Sequence, residues 1–155
     1  HILHGLDQDV YSSLLVGFSA QTSSEQVQAI VDSKLDRRRR GVFGPSGGKR
    51  CVIFLDDVNM PSPEVYGAQP ALELLRQCVK YGGWYDLKEL TFRHIEDCCF
   101  VAAMGPPGGG RNFIPPRFAR HFRIVGVAEA ENDVLLRIFG NLMDWFLSTS
   151  QGLPQ

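Results

Sequence analysis

Apolar and polar positions alternate between two rhythms along this chain. Short continuous apolar runs read as strands, and runs with apolar residues three or four apart read as helices. Leu14-Leu15-Val16-Gly17-Phe18 predicts a strand, and Ser19 to Ser24 follows as a polar stretch rich in residues that cap helices. Val27, Ile30, Val31 and Leu35 fall at helical spacing, predicting a helix from Ser24 to Leu35 with the basic run Arg37 to Arg40 at its end. A glycine-rich loop, Gly41 to Gly48, leads to the run Cys51-Val52-Ile53-Phe54-Leu55, which suits a strand buried on both faces of a parallel sheet. Pro70 sits in the first turn of a helix Ala71 to Tyr81, with Leu72, Leu75 and Val79 on one face and Gly82-Gly83 at its end. Trp84 to Glu96 predicts a hairpin and Cys98 to Met104 a second fully apolar strand. Pro116 to His121 predicts a short helix and Arg123 to Val127 a strand. An amphipathic helix from Asn132 to Leu147 comes last, carrying Val134, Leu135, Ile138, Phe139, Leu142, Met143 and Phe146. Alternating strands and helices with doubly apolar strands argue for an α/β sandwich built on a parallel sheet.

Composition narrows the picture only a little. The chain has 155 residues, enough for one domain with a sizeable core, and is 44% hydrophobic and 21% charged. A net charge of −1 gives bulk electrostatics no pull toward nucleic acid or a membrane surface. No apolar run reaches membrane-spanning length, and no basic-then-apolar leader opens the chain. The ends, His1-Ile2-Leu3 and Leu153-Pro154-Gln155, read as those of a piece cut from something longer. Of the four cysteines, Cys51, Cys98 and Cys99 lie in strand-like runs and Cys78 on a helical face, which favours buried, reduced thiols. Cys98-Cys99 lacks the spacing of a zinc pair, so His94 and His121 have no ready metal partners.

The chemistry concentrates where apolar strands end. The strand from Cys51 stops at two adjacent carboxylates, Asp56 and Asp57. Ligands of parallel sheets bind at the carboxyl ends of the strands. Nucleotide hydrolysis needs acids there, one ordering magnesium and the next polarising a water; the alternative is that both simply cap the next helix. The loop Met104 to Asn112 leaves the second apolar strand at the same edge, where Arg111 and Asn112 could bond phosphate or water, or simply decorate a surface loop. Arg117 and Arg120, three apart on the short helix, suit charge stabilisation of a transferred phosphoryl group supplied in trans; surface arginines beside buried Phe118 and Phe122 are the competing reading. Gly44 to Arg50 imitates a phosphate-binding loop but fails its pattern. Phe43 stands at the first glycine position, Arg50 stands where the hydroxyl belongs, and the segment leads into a strand instead of a helix. Arg37 to Arg40 leaves a polyanion-binding interaction domain as a minor alternative.

Seven segments in order, FSAQTSSEQ, SKLDRRRRGVFGP, VIFLDDVNMP, VYGAQPALELLRQ, WYDLKEL, AAMGPPGGGRN and PPRFARHF, resemble one family closely. It is the dynein heavy chain, specifically the third AAA+ module of its motor ring in the axonemal form, from about Ser12 to Phe146. The resemblance implies an incomplete P-loop AAA+ core, a parallel sheet with flanking helices, plus the first lid helix. Residues 1–128 would be part of the large subdomain and 129–155 the start of the helical lid. It implies that Val52 to Asp57 is the Walker B strand, with Asp56 ordering magnesium and Asp57 at the catalytic acid position, where many AAA+ proteins carry glutamate. Gly105 falls at the sensor-one position, where asparagine is usual, and Asn112 is the candidate substitute. Arg117 is the better match to the arginine finger, with Arg120 second. ATP or ADP with magnesium would be the cofactors. Expected partners are the neighbouring modules of the same heavy chain, microtubules through the intact motor, and dynein intermediate and light chains. The expected place is the cytoplasm and cytoskeleton, in a ciliary or flagellar axoneme. Because the Walker A segment would lie upstream of His1, the piece alone is expected to be inactive and, with a sheet edge uncovered, poorly soluble. A regulatory ring element holding nucleotide without turnover is the alternative.

Overall fold

A computed structural model describes residues 2–148. A short 3₁₀ turn, Ile2–Gly5, precedes strand β1 (Tyr11–Gly17) and helix α1 (Ser24–Asp32). Strands β2 (Leu35–Arg39), β3 (Val42–Pro45) and β4 (Arg50–Asp56) follow, and then helix α2 (Pro70–Tyr81). Three strands come next, β5 (Gly83–Tyr85), β6 (Phe92–Ile95) and β7 (Cys98–Ala102), and the chain finishes with helices α3 (Pro116–Ala119) and α4 (Asn132–Ser148). His1–Arg123 forms one compact unit and Ile124–Gln155 a second.

In the first unit β4 lies at the centre of a three-stranded parallel sheet of order β1-β4-β7. Register builds rows across the three strands: Ser12–Cys51–Cys98, Leu14–Ile53–Phe100 and Val16–Leu55–Ala102. These rows share one core with Val27 and Val31 of α1, Leu72, Leu75 and Cys78 of α2, and Trp84 and Phe118. The parallel sheet with its helices has the architecture expected of an incomplete P-loop core. Burial of β4 departs from expectation. Cys51, Ile53 and Leu55 are buried, but Val52 and Phe54 facing the other way are only half covered. A continuous apolar run marks a strand able to be buried on both sides, and here the described helices pack on one.

The helices end where local chemistry tells them to. Ser23 caps α1 reciprocally: its hydroxyl accepts from the Gln26 amide at 3.2 Å, and the Gln26 side chain accepts from the Ser23 amide at 3.0 Å. Ser23→Ala is expected to lower the unfolding free energy by about 1 kcal/mol, read as a shift in urea midpoint without a change of slope. Pro70 begins α2, and Gly82, at φ 69°, closes it in a left-handed turn that favours glycine.

Three expectations fail for identifiable reasons. Helix α1 stops at Asp32, so Arg37 to Arg40 does not complement a helix end; Arg37, Arg38 and Arg39 lie in β2. The expected loop after them contains β3, paired antiparallel with β2 through a turn at Gly41. With β5 and β6 they form a second, four-stranded sheet of order β2-β3-β6-β5. β2 is an edge strand, where charged side chains discourage further pairing. Arg38 pairs with Asp97, and Arg39 reaches Glu96 at 2.7 Å. Arg123 to Val127 is not a strand: Ile124 to Val127 is irregular and exposed, with no described neighbour to complete a ladder.

The hairpin of β5 and β6 forms as expected. In the second unit, α4 matches the expected span, but most of its apolar residues are exposed and none is buried.

Candidate functional site at the carboxyl edge of the parallel sheet

β4 ends at Asp56, and its ladder with β7 continues into the following turns. The amide of Ala103 donates to Leu55 carbonyl at 2.8 Å, and the amide of Val58 donates to Ala103 carbonyl at 3.1 Å. These bonds hold the loops leaving β4 and β7 side by side, so the two segments predicted to share an edge do so.

Asp56 turns one carboxylate oxygen back to accept the Asp57 amide at 3.1 Å. Asp57 then adopts a left-handed backbone, φ 52°, a conformation that aspartate tolerates better than most residues. Its carboxylate accepts from a terminal guanidinium nitrogen of Arg111 at 3.1 Å. Arg111 returns to the edge through a tight turn. Gly108 and Arg111 exchange amide–carbonyl bonds of 3.0 Å, while Gly108, Gly109 and Gly110 all hold positive φ. Its side chain then crosses Gly105: a Cβ placed there would stand 2.7 Å from Arg111 Nε. Arg111 therefore fills the space that a side chain at the expected sensor position would occupy. Its Nε is buried without a partner.

Asn112 goes elsewhere. Its amide nitrogen donates to the carbonyls of Met60 and Pro61 at 3.3 and 3.0 Å, and its backbone amide donates to Asn59 carbonyl at 2.9 Å. Asn59, fully buried, donates to Gly105 carbonyl at 2.9 Å and leaves its own Oδ1 unpaired. Asn59 and Asn112 thus lace the two loops together. Sequence reasoning passed over Asn59, although a polar residue two places beyond Asp57 at a strand end was a usable signal.

Arg117 and Arg120 are not joined to the acids by any described contact. Arg117, on α3, donates through Nε to Glu73 of α2 at 2.6 Å, and Glu73 also pairs with Arg76 at 2.8 Å. Arg120 caps α3, exposed, with no ion pair among the described residues. Both stand on the surface, Arg117 held by Glu73. Two surface depressions, of about 280 and 430 Å³, are lined by Leu3, Lys49 and neighbours and by Ser24, Glu73 and neighbours. Neither includes Asp56, which is exposed, or Asp57, which is half-buried.

The edge fits half of a magnesium–nucleotide site. Asp56 Oδ2 has no described partner and is available to water on a cation, whereas Gly44 to Arg50 runs through a single 3₁₀ turn into β4 and offers no helix N-terminus to phosphate. The half-exposed Arg111–Asp57 pair contributes little to folding: Arg111→Ala is expected to change the unfolding free energy by less than about 1 kcal/mol in calorimetry.

Residues 1–130 match the family described as "P-loop containing dynein motor region". The chain is 49% identical over 154 residues, 99% of its length, to dynein axonemal heavy chain 12 of Rattus norvegicus. It is 52% identical over 144 residues, 93% of its length, to dynein axonemal heavy chain 3 of Homo sapiens. Over 142 residues, 88% of its length, it is 51% identical to human dynein axonemal heavy chain 1. It spans only 5%, 4% and 3% of these three relatives respectively.

Proposed function

Since the chain belongs to the P-loop-containing dynein motor region family, we propose that it forms part of one AAA+ module, the third, of a dynein motor ring. That module holds ATP or ADP with magnesium and contributes to ATP-driven movement along microtubules in a ciliary or flagellar axoneme, within the cytoskeleton. Its immediate partners are the neighbouring modules of the same heavy chain. Microtubules are met through the intact motor, and intermediate and light chains complete the assembly. Residues 1–128 act as part of the large subdomain, and 129–155 begin the lid.

The observation that carries this reading is the placement of Asp56 and Asp57 at the carboxyl end of the central parallel strand, beside the loop from β7. Magnesium, when bound, neutralises phosphate charge. Asp56 would hold it through water with its free oxygen. Asp57 would accept a proton from the attacking water once Arg111 moves off its carboxylate. Arg111 is then available to phosphate, a role for which its planar fork is suited. Arg117 would face the nucleotide of the adjacent module, exchanging Glu73 for phosphate oxygens, with Arg120 beside it.

A test uses an intact heavy chain whose other nucleotide sites are disabled by substitution. Asp56→Ala is expected to abolish the magnesium dependence of binding of a fluorescent ATP analogue at this module. Unchanged magnesium dependence would sink the assignment.

A second reading, nucleotide held without turnover, is favoured by one feature. Arg111 occupies both the Asp57 carboxylate and the space over Gly105, leaving no side chain there to position water. On that reading Arg111 is a permanent clamp, and replacing Asp57 leaves turnover untouched.

A further inference from the structure

The opposite end of the same sheet carries a cluster of thiols that nucleotide chemistry does not use. Cys51 of β4 and Cys98 of β7 are direct register partners, so their side chains leave the same face of the parallel ladder. Both are free thiols, Cys51 buried and Cys98 half covered. Neighbouring strands lie about 4.8 Å apart, inside the roughly 4.4–6.8 Å range of Cα separations that disulfides span. Register alone sets the two thiols side by side across the ladder. Neither of the other two cysteines is a register partner of this pair. Cys99 opposes Val52 and points to the other face, while Cys78 is buried on α2.

We propose that Cys51 and Cys98 are a redox pair, converted by a peroxide-class oxidant into a disulfide that ties β4 to β7. The Cys51 sulfur attacks the peroxide O–O bond, forming a sulfenic acid and releasing one water. Cys98 sulfur then attacks the sulfenyl sulfur, the S–S bond forms, and the second water leaves with the Cys98 proton. Two electrons pass from the sulfurs to the peroxide, and a dithiol reverses the change. The pair is polarised for this sequence. The adjacent Cys98 thiol holds the Cys51 thiol down to about 6, against the upward push of burial and with help from Ser12 and the Lys34 charge. Cys98 is pushed up by its Cys51 neighbour and by burial, so it keeps its proton until the second step. Cys78, pushed up to about 12 by burial, is a poor nucleophile. None of this depends on the nucleotide reading.

The test is peptide mapping of the intact protein that carries this chain. Hydrogen peroxide treatment, alkylation of remaining thiols and tryptic digestion without reduction should yield the peptide Cys51–Arg76 bonded to His94–Arg111. Fragmentation should place the bond on Cys98, and dithiothreitol should remove it. The linked species should persist in Cys99→Ser and vanish in Cys51→Ser and Cys98→Ser. Before oxidation, iodoacetamide labelling of Cys51 should set in at lower pH than in Cys98→Ser, which lacks the partner thiol. A bond through Cys99, or Cys51 oxidised without any link, would overturn the proposal.

Discussion

An intact heavy chain carrying Asp57→Asn is expected to lose at least about a hundredfold in the ATP turnover of this module, the scale of a lost general base. Asparagine keeps the shape of aspartate and tolerates the same left-handed backbone, φ 52° at this site, so the loop should stay in place. It cannot take a proton from water, and it gives up the charge that draws Arg111 to 3.1 Å. Single-turnover measurements with the other modules disabled would read the effect, and nucleotide affinity should change far less than the rate. Turnover and microtubule gliding both unchanged would establish the alternative, in which the module holds nucleotide and Arg111 stays closed on the acid. Arg111→Ala sharpens the contrast. A movable Arg111 that assists phosphate should slow turnover when removed, whereas a permanent clamp has no turnover to lose.

Trp84→Ala is expected to cost about 3–5 kcal/mol of unfolding free energy, the largest stability effect predicted for the first unit. Trp84 is fully buried in the main core although it belongs to the second sheet, so it pins the hairpin to the helices. Its indole donates to Asp32 at 3.2 Å, and Asp32 and Asp86 both accept from Arg93. Alanine would leave a cavity and strip a donor from Asp32, whose carboxyl is already pushed up by burial. Trp84→Phe keeps most of the volume and removes the donor, isolating a hydrogen-bond loss of about 1 kcal/mol. Urea unfolding of both variants checks the partition; equal losses would mean that the indole bond, and not packing, carries the effect.

Much of the architecture was legible because it depends on local chemistry. Ser23 and Gln26, Pro70 and Gly82 mark helix ends by bonds made within a few residues, and those ends fell where the chain signalled them. The run ending at Asp56 announced its strand, and the loop Met104 to Asn112 announced its place at the same edge. The second sheet was hidden because Leu35 to Arg39 has no apolar rhythm; it is a strand only because Val42 to Pro45 folds back on it. Arg123 to Val127 failed in the opposite sense, having a strand-like composition without a described partner. At the site, the strand-end acids and the nearby loop could be read from order alone. The path of Arg111 over Gly105 to Asp57, and the turning of Asn112 toward Met60 and Pro61, depend on three-dimensional approach between distant segments.

The left-handed turn at Asp57 bears on how this acid could change over evolution or in the hands of an engineer. Outside glycine, that backbone accepts asparagine and aspartate most readily, because a short polar side chain can bond locally. A longer acid would gain a methylene of reach toward water but carry a conformational cost of about 1–2 kcal/mol. Lengthening the acid at position 57 is therefore a coupled problem. Asp57→Glu alone should remodel the turn between Asp56 and Val58, and a gain in reach would require relaxing that turn at the same time. Side-chain length here is chosen by the main chain before it is chosen by catalysis.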